Sequence, residues 1–105
     1  YNQHMNTDEL ISHGRARFEH ASAKRLLKEK YQGKMTFAYR GGMFRAGPDL
    51  INILLVCPWD EAVILDLYEN PVKVAPIELK HLAEQRWQEQ MTAWLVEYEQ
   101  LNQNR

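Results

Sequence analysis

The side chains able to do covalent or acid–base chemistry in this chain are few and dispersed. There is one cysteine, Cys57, and of four histidines only His81 lies outside the N-terminal region. A cysteine nucleophile needs a histidine beside it, so a small hydrolase or transferase would have to join Cys57, His81 and the acids near Asp60. Cys57 ends an apolar run and precedes Pro58, which marks a buried structural thiol instead. Asp60-Glu61 and Asp66 with Glu69 bring carboxylates close in sequence. Acid–base catalysis needs carboxylates in unlike environments across a cleft, whereas acids clustered in turns are expected to be solvated. His13 and His20 are two turns apart on one helix, too far to share an ion without other ligands, and one cysteine makes no zinc set. Gly41-Gly42 lacks the surroundings of a phosphate loop and is explained by a turn. The expectation is a non-enzymatic protein, with no catalytic residue, cofactor or metal.

Charge offers a stronger lead. Residues 1–47 carry nine Lys/Arg against four Asp/Glu, and residues 48–105 carry four against ten, so halves of +5 and −6 make the net charge of −1. All nine cations of the first half fall between Arg15 and Arg45, where only Glu19 and Glu29 oppose them. A surface polarised in this way steers partners and can pair copies of a protein. His13, Arg17, His20, Lys24 and Lys28 recur at helical steps and form a cationic stripe. Acids from Asp60 to Glu99 could fold back on that stripe, in which case the polarity is used inside one molecule. Interleaved Phe18, Tyr31, Phe37, Tyr39 and Phe44 also fit single-strand binding, with rings for bases and cations for phosphates. Nucleic-acid binding through Arg17, Lys24, Lys28, Arg40 and Arg45 is therefore the alternative function. A pI near 6.5 lies below what dedicated nucleic-acid binders usually have.

Seven elements must position these groups. Asn6 caps a first helix, with Glu9 three residues on as in a capping box, and the helix runs to about Tyr31 before Gly33. At about 100° per residue, Ile11, Gly14, Phe18, Ala21, Ser22 and Leu26 share the face expected to be buried. Lys34–Ala46 reads as a β-hairpin turning at Gly41-Gly42, which sets Tyr39 opposite Phe44 and Phe37 opposite Ala46. Pro48 starts a short helix whose apolar stretch, Leu50–Val56, is expected to be buried all round. Ala62–Tyr68 and Val72–Val74 form a second hairpin about Glu69-Asn70-Pro71. Pro76 opens a last helix to about Gln103, with a seam of Leu79, Leu82, Ala83, Trp87, Met91, Trp94, Leu95, Tyr98 and Leu101. Trp87, Trp94 and Tyr98 are side chains that dominate interfaces when exposed, and Trp87 with Met91 is expected to face inward. Arg45–Ile51 and Lys73–Leu79, 28 residues apart, repeat the order strand, small residue, proline, helix. The two hairpins are expected to share one four-stranded antiparallel sheet with helices on one face.

At 105 residues and 45% apolar content the chain is expected to form one domain, 1–105. Its longest apolar run, Ile53–Cys57, is far short of a membrane span. One cysteine suits a reducing compartment and a cytoplasmic protein. Tyr1–His4 precede Met5, which reads as the native start, and residues 1–5 are expected to be disordered or an appended remnant.

The phrases Gly41-Gly-Met-Phe-Arg-Ala-Gly-Pro-Asp-Leu50 and Gln85-Arg-Trp-Gln-Glu-Gln-Met-Thr-Ala-Trp94, with Glu9-Leu-Ile-Ser-His-Gly14, carry a resemblance over most of the chain from Met5. In them it resembles small uncharacterised proteins of tailed phages infecting marine cyanobacteria. The resemblance implies a phage product acting in the host cytoplasm or during virion assembly, and it brings no functional residues with it.

The combined expectation is an α+β protein of order α-β-β-α-β-β-α that works by protein–protein contact, as a homo-oligomer or with a host or phage partner of acidic surface. The partner-binding residues are Arg17, Lys24, Lys28, Arg40, Arg45, Trp87, Trp94 and Tyr98. Cations meet the acidic surface and the Trp/Tyr seam supplies apolar area.

Overall fold

The structure, a computed structural model, describes residues 6–103, so the expectations for residues 1–5 lie outside the described residues. The element order is α1 (Thr7–Lys34), β1 (Thr36–Tyr39), β2 (Gly42–Arg45), α2 (Pro48–Leu55), β3 (Ala62–Leu65), β4 (Pro71–Val74) and α3 (Pro76–Gln103). This is the expected α+β order, but α1 runs through Gly33 to Lys34 instead of stopping near Tyr31. β3 ends at Leu65 and Pro71 is already in β4, so the second turn is Asp66–Asn70. The Asn6 side chain accepts the Glu9 N–H at 2.8 Å and caps α1. Proline opens both α2 and α3, where its missing N–H leaves no bond unmade.

The first hairpin turns one residue earlier than expected, at Arg40-Gly41, both with positive φ (48° and 81°). A two-residue turn of this kind matches the strand twist, and glycine is needed at only one of its two positions. The register therefore pairs Phe37 with Phe44 and Tyr39 with Gly42, not Tyr39 with Phe44 or Phe37 with Ala46. Because the slip is an even number of residues, the faces survive it: Phe37, Tyr39, Phe44 and Ala46 are buried, while Ala38, Arg40 and Arg45 are exposed.

The two hairpins form separate two-stranded ladders, not one four-stranded sheet. The turn of the second docks on the first through Asp66. This carboxylate accepts N–H bonds from Met43 (3.0 Å), Tyr68 (2.9 Å) and Asn70 (2.9 Å), and the Leu67 N–H donates to the Met43 carbonyl at 2.7 Å. Asp66 is thus buried and bonded, against the expectation of a solvated turn acid, and those donors hold its carboxyl below the usual aspartate range. Gly42 lies where the hairpins cross: a Cβ there would stand 2.7 Å from Val72 Cγ2.

The core is small and sits at one end. Met35, Phe37, Tyr39, Phe44, Ala46, Leu54, Val74, Leu79 and Ala83 form it, with Trp87 and Met91 packed against it as expected. α2 is not buried all round: Leu54 is, but Ile53, Leu55 and Val56 are more than half exposed, because the helix is covered on one side only. From this head α1 and α3 run out as an antiparallel pair, and the molecule measures 70 × 23 × 22 Å.

Pairing with α3 corrects the expected face of α1. Tyr31 is buried, and Leu27, Ala23 and His20 are half-buried beside α3. Ile11, Phe18 and Leu26 point elsewhere, 53%, 70% and 60% exposed. Successive steps of 100° put Leu27 about 180° from Phe18, so α1 has two apolar strips and α3 can cover only one. The covered strip wins through Tyr31, whose ring stacks on Trp94 with centroids 6.0 Å apart and whose hydroxyl donates to Glu97. Arg86 adds a bond to the Lys34 carbonyl, an acceptor left over at the α1 terminus. Residues 7–19 are exposed throughout, an overhang of about 20 Å at the usual helical rise.

Candidate docking groove

The α1–α3 pair leaves a groove along one side. Its floor is Met91, Trp94, Leu95 and Tyr98 of α3, its wall is Lys24, Arg25 and Lys28 of α1, and its volume is about 470 Å³. Helix geometry builds both sides. Met91, Trp94, Leu95 and Tyr98 follow at helical steps along one flank of α3, and Lys24 and Lys28 stand one turn apart on α1. Met91 and Trp94 also line a second hollow of about 450 Å³ toward the head, with Trp87, Leu50, Ile53, Leu65, Leu67, Gln32 and Arg45. The two hollows share Met91 and Trp94 and run into one channel, whose charged lining is Lys24, Arg25 and Lys28 at the open end and Arg45 with Asp49 and Asp66 at the head end.

Six of the eight expected binding residues therefore border one channel: Lys24, Lys28, Arg45, Trp87, Trp94 and Tyr98. Arg17 stands on the exposed overhang, along the line of Lys24 and Lys28 but lining neither hollow. Arg40 is engaged elsewhere: its guanidinium lies 3.5 Å from Glu61 and 3.9 Å from Glu78 and covers the Tyr39 ring at 5.4 Å. Arg25 and Leu95 complete the groove and were not singled out from the sequence. Arg25 lies off the stripe drawn through Lys24 and Lys28, and Leu95 was one member of a long seam.

Whether the cations are neutralised internally has a direct answer. The ion pairs among the described residues are Lys30–Glu97 (2.9 Å), Arg40 with Glu61 and Glu78, and Lys80–Glu84 (3.1 Å). None uses Arg17, Lys24, Arg25, Lys28 or Arg45. Acids do fold back on α1, but onto Lys30 at the edge of the helix pair. There Tyr31 and Lys30 both donate to Glu97, which holds its carboxyl below the usual range and raises the phenol and the ammonium above theirs. The stripe itself stays open, except that the Nε2 atom of His20 is buried without a partner.

Elsewhere the chemistry is structural. The Tyr39 hydroxyl donates to Glu78 at 2.8 Å and accepts the Ala75 N–H at 3.2 Å; burial is the main cause that raises its phenol above the usual value. Cys57 is half-buried, not fully buried, and lines a shallow cleft with Trp59, Glu61, Ala62, Val63, Ile64 and Lys73, a set without His81. Among the described residues no group of three or more His, Cys, Asp or Glu could hold a metal ion, and no helix is long and apolar enough to cross a membrane. Comparison with protein-family models, curated proteins and solved structures returns no match for the chain.

Proposed function

We propose that this chain is a non-enzymatic binding and assembly protein whose α1–α3 groove takes an amphipathic, acidic segment of a partner protein. The observation that carries the reading is the composition of the channel. At its open end an apolar floor with Trp94 and Tyr98 lies beside Lys24, Arg25 and Lys28, none of them ion-paired among the described residues, while Asp49 and Asp66 line only the head end with Arg45. Rings desolvated in a groove supply affinity, and a one-sided row of cations selects acids and speeds encounter. As a phage product in the host cytoplasm, the chain would meet such a partner on a host or virion protein.

Nucleic-acid binding through Arg17, Lys24, Lys28, Arg40 and Arg45 is the rival. It is weakened by the engagement of Arg40 with two glutamates and by the burial of Phe37, Tyr39 and Phe44, which leaves no ring of the basic first hairpin open for stacking. The test is fluorescence anisotropy at low salt with two sets of probes. One is a helical peptide with leucines on one face and glutamates on its flank; the other is labelled single-stranded and duplex DNA. Binding of the peptide alone, weakened by salt and by Lys24→Glu with Lys28→Glu, is expected. Tighter binding of DNA than of the peptide would transfer the assignment to the rival.

A further inference from the structure

On the side of α1 turned away from α3, next to the cation wall of the groove, lies a second strip that nothing else among the described residues covers. Ile11, Gly14, Phe18 and Ala21 recur at steps of 3, 4 and 3, the spacing of a coiled-coil seam. Leu10 and Leu26 flank the strip, 56% and 60% exposed. Apart from its chain neighbours and the helix's own backbone, no described atom lies within 4 Å of a Cβ built at Gly14. The molecule as a whole exposes 7914 Å², where a compact monomer of 12.4 kDa exposes about 6,100 Å². Its radius of gyration is 20.6 Å against about 13 Å for a compact chain of this length.

We propose that this strip is the contact of an antiparallel dimer, in which α1 lies on the same face of α1 in a second copy. The strip runs on at steps of 4 and 3 into Arg25 and Lys28 of the groove wall, but its apolar part, Ile11 to Ala21, lies outside the groove lining. Two observations select a second copy, and a third sets how tightly it binds. The first is size. The strip alternates large and small residues, so an antiparallel partner whose two-fold axis passes between residues 16 and 17 brings each Phe18 within one residue of the opposite Gly14. The same register sets each Ile11 beside the opposite Ala21 and Ser22. A parallel partner in equal register would set Phe18 on Phe18 and glycine on glycine, which packs poorly.

The second observation is charge. The antiparallel register brings Arg15 of each copy level with Glu19 of the other on one flank, twice by symmetry. Neither residue has an ion-pair partner in its own chain among the described residues. Arg17 near the axis on the other flank is the like-charge contact, and its exposed side chain has room to turn into solvent. The third is extent. The apolar seam itself, Ile11 to Ala21, spans about one and a half heptads inside an overlap of residues 7–26, short of the three or four heptads of a stable coiled coil, which sets a weak dimer. A contact confined to one helix per copy falls below about 1,200 Å² in total, the range of reversible association.

Sedimentation velocity on the full chain, from micromolar to millimolar protein, tests the proposal. A concentration-dependent shift from monomer to dimer is expected. Arg15→Glu and Glu19→Arg should each weaken the dimer at least about fivefold, and the two together should restore it. Gly14→Gln should raise helix content, because glycine is a poor helix former, and still weaken the dimer by filling the space Phe18 needs. In a Cys57→Ser background, a mixture of Gly14→Cys and Phe18→Cys chains should form a disulfide-linked pair that Gly14→Cys alone does not. A monomer at every concentration, a double charge swap that fails to restore association, or self-crosslinking of Gly14→Cys would overturn it.

Discussion

The two strips of α1 make a sharp thermodynamic contrast with the core. Leu79 is wholly buried among Phe44, Val74 and Ala83, at the place where α3 meets both hairpins. Leu79→Ala removes buried carbons and leaves a cavity that a ladder of two short hairpins cannot refill, so the cost is about 3 kcal/mol, within the usual range for a core leucine. Phe18 is 70% exposed, so less than a third of its side chain is out of water. Burying a whole Phe contributes about 1.5–3 kcal/mol, and Ala is the better helix former. Phe18→Ala should therefore cost under about 0.5 kcal/mol in the monomer. For a domain of this size each kcal/mol moves the melting midpoint by about 4–8 °C, so Leu79→Ala should lower it by about 12–24 °C and Phe18→Ala by under about 4 °C. Thermal unfolding followed by far-ultraviolet circular dichroism, at micromolar protein where any dimer is dissociated, reads both. Equal losses from the two variants would refute the assignment of Phe18 to an uncovered face of α1.

Other outcomes follow from the same geometry. Gly42→Ala should destabilise by about 1–3 kcal/mol, since its methyl would meet Val72 Cγ2 at 2.7 Å; denaturant unfolding measures it. The carboxyls of Asp66 and Glu97 lie below their ordinary values of 3.8 and 4.5. Their contribution is complete above those values and is lost as pH falls through the lowered ones. The melting midpoint should therefore hold down to about pH 5 and fall below it, with a shallower fall in Asp66→Asn. Tyr31 and Lys30 are raised, so their contribution is complete below about pH 10 and is lost as pH climbs through the raised values, a limb that Glu97→Gln should make shallower while burial of Tyr39 keeps part of it. Trp94→Ala should weaken groove binding about tenfold or more, as loss of a central aromatic does, and isothermal calorimetry with the acidic peptide checks it.

The element order was legible because punctuation carried it. Asn6, Gly41, Pro48 and Pro76 act locally, through a cap, positive φ and a missing donor, although the turn formed on Arg40-Gly41 and not on Gly41-Gly42. Side of burial was less legible, for it is decided between elements. α1 offers an apolar strip with Phe18 and another with Leu27 and Tyr31, and only the ring stack and hydroxyl bond to α3 choose between them. The partners of Asp66 are backbone N–H groups, which leave no trace in residue types. The groove was half visible. Lys24, Lys28, Trp94 and Tyr98 announced themselves by type and spacing, whereas Arg40 matched them in type and was engaged by Glu61 and Glu78 across the hairpins.

The most direct test of the groove is amide and indole chemical-shift mapping on the isotope-labelled full chain, titrated with the glutamate-flanked leucine helix. Saturable shifts are predicted at Lys24, Lys28, Met91, Trp94, Leu95 and Tyr98, with little change at Arg40 and Trp59, and loss of binding in the Lys24→Glu, Lys28→Glu chain. Shifts centred elsewhere, or an equal response to the same helix flanked by lysines, would contradict the account.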